Sequence, residues 1–160
     1  MKIGITGHQQ LGSEATIAWL SETLEGLIRQ YHIDVGITSL AIGADQLYAE
    51  VLKKSHIPYI AVIPCEGYET TFQTTDDLGR YQELLRNTSE RIQLPFEKPS
   101  ETAFYEAGKK IANLSDLVIA IWNGKPAKGL GGTGDIVEYA HTIKKPVVHL
   151  NPITQTVREL

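Results

Sequence analysis

The sequence predicts an α/β fold: a doubly wound, mostly parallel sheet with helices on both faces, formed by residues 1–160 as a single domain. Three observations carry this expectation. Short β-rich runs alternate along the chain with amphipathic segments of helical period. The β-rich runs are apolar through and through, as in strands buried on both faces. No linker, repeat or low-complexity tract breaks the 160 residues, a length that one hydrophobic core can serve.

The elements follow in order. "KIGITG" (2–7) is a short apolar run ending in glycine. In "SEATIAWLSETLEGLIRQY" (13–31), Ile17, Leu20, Leu24, Leu27 and Ile28 recur at helical spacing, Ser13 can cap the helix, and Glu14 suits its first turn. "DVGITSL" (34–40) is a second strand, and "GADQLYAEVLKKS" (43–55) a helix that turns Leu47 and Val51 inward. "PYIAVIP" (58–64) is a strand bounded by prolines. "TTDDLGRYQELLRNT" (74–88) opens on capping residues. "ERIQLP" (90–95) is a short fourth strand. "SETAFYEAGKKIANL" (100–114) is a helix capped by Ser100. "DLVIAIW" (116–122) is the most strand-like run, a helix covers roughly 133–143, and "PVVHL" (146–150) is the last strand. The tail "ITQTVREL" is expected to add a short helix. With right-handed crossovers this order is Rossmann-like, and ligands bind beyond the carboxyl ends of the strands. The loops there are "TGHQQLG", "SLAIGAD", "IPCEGYETT" and "WNGKPAKGLGGTG".

Composition narrows the function. A net charge of −4 argues against a nucleic-acid partner, because phosphate neutralisation needs clustered Lys and Arg. No apolar run reaches membrane-spanning length, so no membrane partner is expected. A single cysteine rules out a disulfide framework and suits a reducing compartment. Met1 runs straight into "KIGITG" with no signal pattern, which makes a cytoplasmic location the expectation. The histidines at 8, 32, 56, 141 and 149 lack metal-ligand spacing, so no metal is expected. The glycines at 4, 7 and 12 do not spell G-x-G-x-x-G, and no GK[ST] loop occurs; no resident cofactor is expected.

The strongest signal is "GLGGTGDIVE" (129–138), four glycines in six positions between a strand and a helix. Such a turn lets Gly131, Gly132, Thr133 and Gly134 press backbone against a ligand. Asp135 and Glu138, three residues apart, share a helix face. Either suits ribose hydroxyls, and Glu138 suits a nucleophile or charge stabiliser at an anomeric carbon. Gly7 and His8 end the first strand at the ligand-bearing edge, where Gly7 is a backbone contact or a tight turn only, and the His8 imidazole can donate to a ligand, transfer a proton, or only satisfy its loop. Gly43 can admit a ligand at the start of the second helix, where Asp45 can accept a ligand hydroxyl or only favour the helix dipole. Trp122 ends the fifth strand, where it can stack on a base or pack at the sheet edge. Lys125 and Lys128 can reach a phosphate or stand in solvent. "YETTFQTTDDLGRY" (68–81) is a lid or a solvated loop. Cys65 has no evident activating base and reads as a small apolar residue.

These motifs resemble the SLOG superfamily of Rossmann-like nucleotide-binding proteins, which includes the "lonely guy" phosphoribohydrolases and the DNA-processing protein A fold. "GGTGDIVE" is similar to the motif G-G-x-G-T-x-x-E at Gly131, Gly132, Gly134 and Glu138. Ser39, Ala41, Gly43 and Asp45 of "SLAIGAD" match part of S-G-x-A-x-G-x-D, and "GITGHQQL" resembles the G-[IV]-[ST]-G-H start of single-domain members. A more distant likeness is to the nucleophile helix of nucleoside deoxyribosyltransferases. The chain departs from the phosphoribohydrolases at Asp135, where they carry threonine, at Leu130, where they carry proline, and at Lys109–Lys110, where they carry an Arg-Lys pair. The resemblance implies a nucleotide-like small molecule as partner, self-association into a homo-oligomer, and one of two functions. One is a ligand-binding or sensing module. The other is an N-glycosidic-bond enzyme with Glu138 and Asp135 as catalytic carboxylates.

Overall fold

A computed structural model describes residues 1–160. The chain runs β1 (Lys2–Gly7), α1 (Glu14–Tyr31), β2 (Val35–Thr38), α2 (Ala44–Lys54), β3 (Tyr59–Ile63), a 3-10 turn (Tyr68–Thr71), α3 (Thr75–Arg86), β4 (Glu90–Gln93), α4 (Glu101–Leu114), β5 (Leu117–Ile121), α5 (Thr133–Thr142), β6 (Val147–Asn151) and β7 (Thr156–Glu159). The strands form one seven-stranded sheet in the order β4-β3-β2-β1-β5-β6-β7. Every pairing is parallel except β6 with β7.

The sheet divides the core in two. Ile3, Ile5, Ile119, Ile121, Val148 and Leu150 face α1, α2 and α3 through Leu20, Leu24, Tyr48, Leu52, Tyr81 and Leu84. Val118, Ala120 and Val147 face the other way, onto Ala112, Val137 and Ala140 of α4 and α5, and Ile37 and Val62 meet Ala107 and Ile111 beside them. Alternate residues of β5 thus serve opposite layers, which explains why its sequence is apolar at every position. The caps are those the sequence offers. Ser13 accepts the Thr16 N–H at 3.2 Å, Thr74 that of Asp77 at 3.1 Å and Ser100 that of Ala103 at 3.0 Å.

The tail departs from the sequence expectation: Thr156–Glu159 is a strand, not a helix. Asn151 Oδ1 accepts the N–H groups of Ile153 (2.9 Å) and Thr154 (3.3 Å). Gln155 takes the left-handed conformation, φ 52°. This Asx turn reverses the chain, and "TVRE" then pairs antiparallel with β6, Leu150 opposite Val157.

The order reverses at β1, which lies between β2 and β5. The carboxyl ends of β1 and β5 therefore border the crevice of a doubly wound sheet. Gly43 holds the β1 and β2 loops together there. It sits at φ +85°, and an added Cβ would lie 2.3 Å from the Gln9 carbonyl oxygen and 2.5 Å from that of His8. Gly43→Ala should destabilise the fold by about 3 kcal/mol, combining left-handed strain with a backbone clash. Urea unfolding measures this, and a loss near zero would show that the loops are not closely packed.

Candidate functional site

A cavity of about 970 Å³ opens over the carboxyl ends of the strands, lined by Gly7, His8, Ser39, Asp45, Tyr68, Phe72, Phe104, Trp122 and the loop from Lys125 to Gly134, among others. It lies at the reversal of strand order, where the sequence places the ligand.

His8 forms the floor of this crevice. Its N–H donates to the Ile121 carbonyl at 3.1 Å, and its carbonyl accepts the Ala44 N–H at 3.1 Å. Its Nε2 accepts the Asn123 N–H at 3.1 Å. A ring nitrogen that accepts carries no proton, so the neutral ring is protonated on Nδ1. His8 thus ties three strand-end loops together. Gly7 beside it is required by packing, since an added Cβ would lie 2.4 Å from Ala44 Cβ.

Asp45, in the first turn of α2, is only 8% exposed. Its Oδ2 accepts the N–H of Ser39 at 3.1 Å and of Ala41 at 3.4 Å. The Thr38 hydroxyl beside it donates to the Asp45 carbonyl at 3.4 Å. Burial outweighs these hydrogen bonds and pushes the carboxyl up to about 7. Gln46 adds a bond from its Nε2 to the Leu40 carbonyl at 3.1 Å, so two side chains of α2 fix the "SLAIG" loop.

The glycine loop folds on itself and against α4. Gly131, at φ +87°, lies so near α4 that an added Cβ would meet the Tyr105 backbone nitrogen at 3.0 Å. Added Cβ atoms at Gly132 and Gly134 would meet Ala127 at 2.7 and 3.0 Å. Close packing accounts for three of the four glycines. The backbone N–H groups of Gly132, Thr133 and Gly134 donate to no protein group, and no side chain caps α5. Thr133 is 7% exposed and lines the cavity, with no protein partner for its hydroxyl.

The two acids expected as catalytic carboxylates do not line the cavity. Asp135 and Glu138 share a face of α5 other than the one its buried residues occupy. Thr133, Ile136, Val137 and Ala140 are the buried positions, and their packing sets the helix phase. Asp135 Oδ2 accepts the Gly131 N–H at 3.0 Å and closes the glycine loop. Glu138 is exposed, and neither acid lines the cavity. Trp122 does line it, yet its indole N–H donates to the Lys125 carbonyl at 2.8 Å and its ring packs 5.1 Å from that of His149.

An aromatic wall is the part that reading the sequence only partly found. Tyr68, Phe72 and Phe104 line the cavity. Tyr68 meets Phe72 edge-on at 5.4 Å and Phe104 at 6.3 Å, and Phe72 stacks on Tyr81 at 4.6 Å. The "YETTF" segment signalled Tyr68 and Phe72. Phe104, on the helix capped by Ser100, gave no signal beyond its apolar character. Cys65, behind this wall, is buried, and that burial, with the nearby Glu69, pushes its thiol up, away from nucleophilic use.

No protein-family model and no curated protein sequence matches the chain. Solved structures do. DNA processing protein A from Helicobacter pylori, described by its single-stranded DNA binding mode, superposes with a TM-score of 0.68 at 21% identity, over 94% of this chain and 65% of that one. DNA processing protein A from Streptococcus pneumoniae gives 0.67 at 20% identity, over 94% of this chain and 50% of that one. The chain thus spans between half and two thirds of those proteins. The molybdenum cofactor binding protein from Rippkaea orientalis gives 0.60 at 21% identity, over 94% of this chain and 76% of that one. The fold is the Rossmann-like fold that these solved structures share, a doubly wound, mostly parallel sheet. The expectation of no nucleic-acid partner is overturned. A protein of this same fold binds single-stranded DNA, and net charge sums over a whole chain while a binding surface is local. No helix is long and apolar enough to cross a membrane.

Asp45 gives this site a signature in stability. Its carboxyl titrates near 3.8 when unfolded and near 7 when folded, so the neutral acid is the form the fold favours. The contribution is complete below pH 3.8, declines as pH rises from there to about 7, and is gone above. The loss is of order 4 kcal/mol. Urea unfolding across this range should show the decline in the wild type and not in Asp45→Asn. Parallel profiles would contradict the burial of this carboxyl.

Proposed function

We propose that the chain is a binding module for a nucleotide or nucleotide-derived small molecule, with an anionic group at the start of α5 and a planar ring against the aromatic wall. The observation that carries this is the set of unused donors at one end of the cavity. Three consecutive N–H groups, Gly132 to Gly134, and the hydroxyl of Thr133, a residue only 7% exposed, have no protein acceptor. A helix amino-terminus adds its dipole to such a set. Lys125 and Lys128 line the same cavity, and neither forms a salt bridge. Asp135 accepts the Gly131 N–H and does not line the cavity.

The same placement favours binding over N-glycosidic chemistry, since Glu138 stands outside the cavity. Fold relatives lend support: one is described as a molybdenum cofactor binding protein, another as a single-stranded DNA binder. Both ligand classes present phosphates and flat rings.

Calorimetry and thermal shift with nucleoside mono- and diphosphates, a short single-stranded oligonucleotide and the free nucleosides test the reading. Phosphorylated ligands should bind and free nucleosides should bind at least tenfold more weakly. Thr133→Val should lose about tenfold in affinity, the equivalent of one hydrogen bond to a charged group. Lys125→Ala and Lys128→Ala should each lose a few-fold, less at high salt. Glu138→Gln should bind as the wild type does. Base release that disappears in Glu138→Gln would contradict the proposal and restore the enzyme reading.

A further inference from the structure

A chain of contacts runs from β6, outside the cavity, to the start of α5. His149 is 9% exposed, and its Nε2 lies 2.7 Å from the Trp122 carbonyl oxygen. A carbonyl only accepts, so Nε2 carries the proton and donates. The His149 ring also packs on the Trp122 ring, with centroids 5.1 Å apart. The Trp122 indole N–H donates in turn to the Lys125 carbonyl at 2.8 Å. The Lys125 N–H donates to Asn123 Oδ1 at 3.0 Å, an Asx turn over Gly124, which takes φ +83°. The far end of the chain is α5 itself. An added Cβ at Gly134 would lie 3.1 Å from the Lys125 carbonyl oxygen and 3.0 Å from the Ala127 nitrogen. The carbonyl that receives the indole bond therefore lies against the first turn of α5, where the amides are unused.

We infer that Trp122 and His149 are positioning residues for the anion seat, acting through Lys125. This rests on the reading that the start of α5 receives an anionic group, and it says how the nearby cation is held there. Lys125 is exposed, lines the cavity and forms no salt bridge. Ala127, Lys128, Gly129 and Leu130, which follow it, donate no backbone hydrogen bond. Without the indole bond, only the Asn123 turn would fix the Lys125 backbone. A lysine on a free loop loses backbone as well as side-chain freedom when it meets an anion, and fixing the backbone beforehand removes the first cost. His149 acts one step further back. Its hydrogen bond and its ring hold Trp122 in the orientation from which the indole reaches Lys125. Trp122 thus serves the ligand's charge through Lys125, and not its ring by stacking.

The test is calorimetric binding of inorganic pyrophosphate, which has no ring, and of adenosine 5′-diphosphate, which has one, at low and high salt. Trp122→Phe keeps an aromatic ring and removes the indole N–H. It should weaken both ligands by about threefold, the scale of an exposed ion pair. Its salt dependence should be shallower than that of the wild type, as in Lys125→Ala. Added to Lys125→Ala, Trp122→Phe should cost nothing further, because both act on one interaction. His149→Phe should behave as Trp122→Phe does, and His149→Gln, which retains an N–H donor, should recover part of the loss. Additive losses with an unchanged salt dependence would show a general structural role and overturn the inference. So would a Trp122→Phe variant that loses adenosine diphosphate but binds pyrophosphate as the wild type does, since Trp122 would then be stacking on the base. If Thr133→Val weakens pyrophosphate binding while Trp122→Phe leaves it unchanged, the anion seat stands and the positioning role alone fails. If the wild type binds neither ligand, both fail.

Discussion

The crevice depends on His8, the first residue beyond β1. Through its N–H, its carbonyl and Nε2 it bonds Ile121, Ala44 and Asn123, so one residue joins the ends of β1 and β5 to the start of α2. A sheet whose strand order reverses leaves a gap at this point. Unless the loops above it are fixed, that gap is a hinge and not a site. His8 makes three of them one rigid floor, with Gly7 and Gly43 letting the backbones approach closely enough to bond. The ring nitrogen that a sequence reading would offer to a ligand is already bonded within the protein.

Around that floor the loops divide their polar groups into spent and unspent. Asp135, Asn123, the Trp122 indole and Asp45 Oδ2 are spent on holding loops. The Thr133 and Tyr68 hydroxyls and the amides of Gly132 to Gly134 are unspent, and their residues all border the one cavity. Polar groups that face a cavity and bond no other part of the protein are available to a ligand there.

Much of this was legible in the sequence. Alternating apolar runs and helical periods gave the order of elements, because a parallel sheet covered on both faces leaves few other arrangements. The glycine turn was legible as a site because glycines cluster where backbones approach closely. The phase of α5 was not. The three-residue spacing of Asp135 and Glu138 puts them on one face, but Ile136 packing onto Gly108, with Val137 and Ala140 against the sheet, decides which face that is. Phe104 was missed for a similar reason: its place in the wall depends on how α4 lies across the sheet. The tail was read as a helix because its strand is four residues long and its pairing depends on an Asx turn that periodicity does not detect.

The central claim is that the start of α5 is an anion seat at one end of the crevice. Amide chemical-shift mapping by NMR during titration with inorganic pyrophosphate tests it directly. The account predicts saturable shifts largest at the amides of Gly132, Thr133 and Gly134, diminished in Thr133→Val. No saturable shift in that loop, or shifts centred on the charged groove formed by Lys53, Lys54 and Arg80, would contradict it.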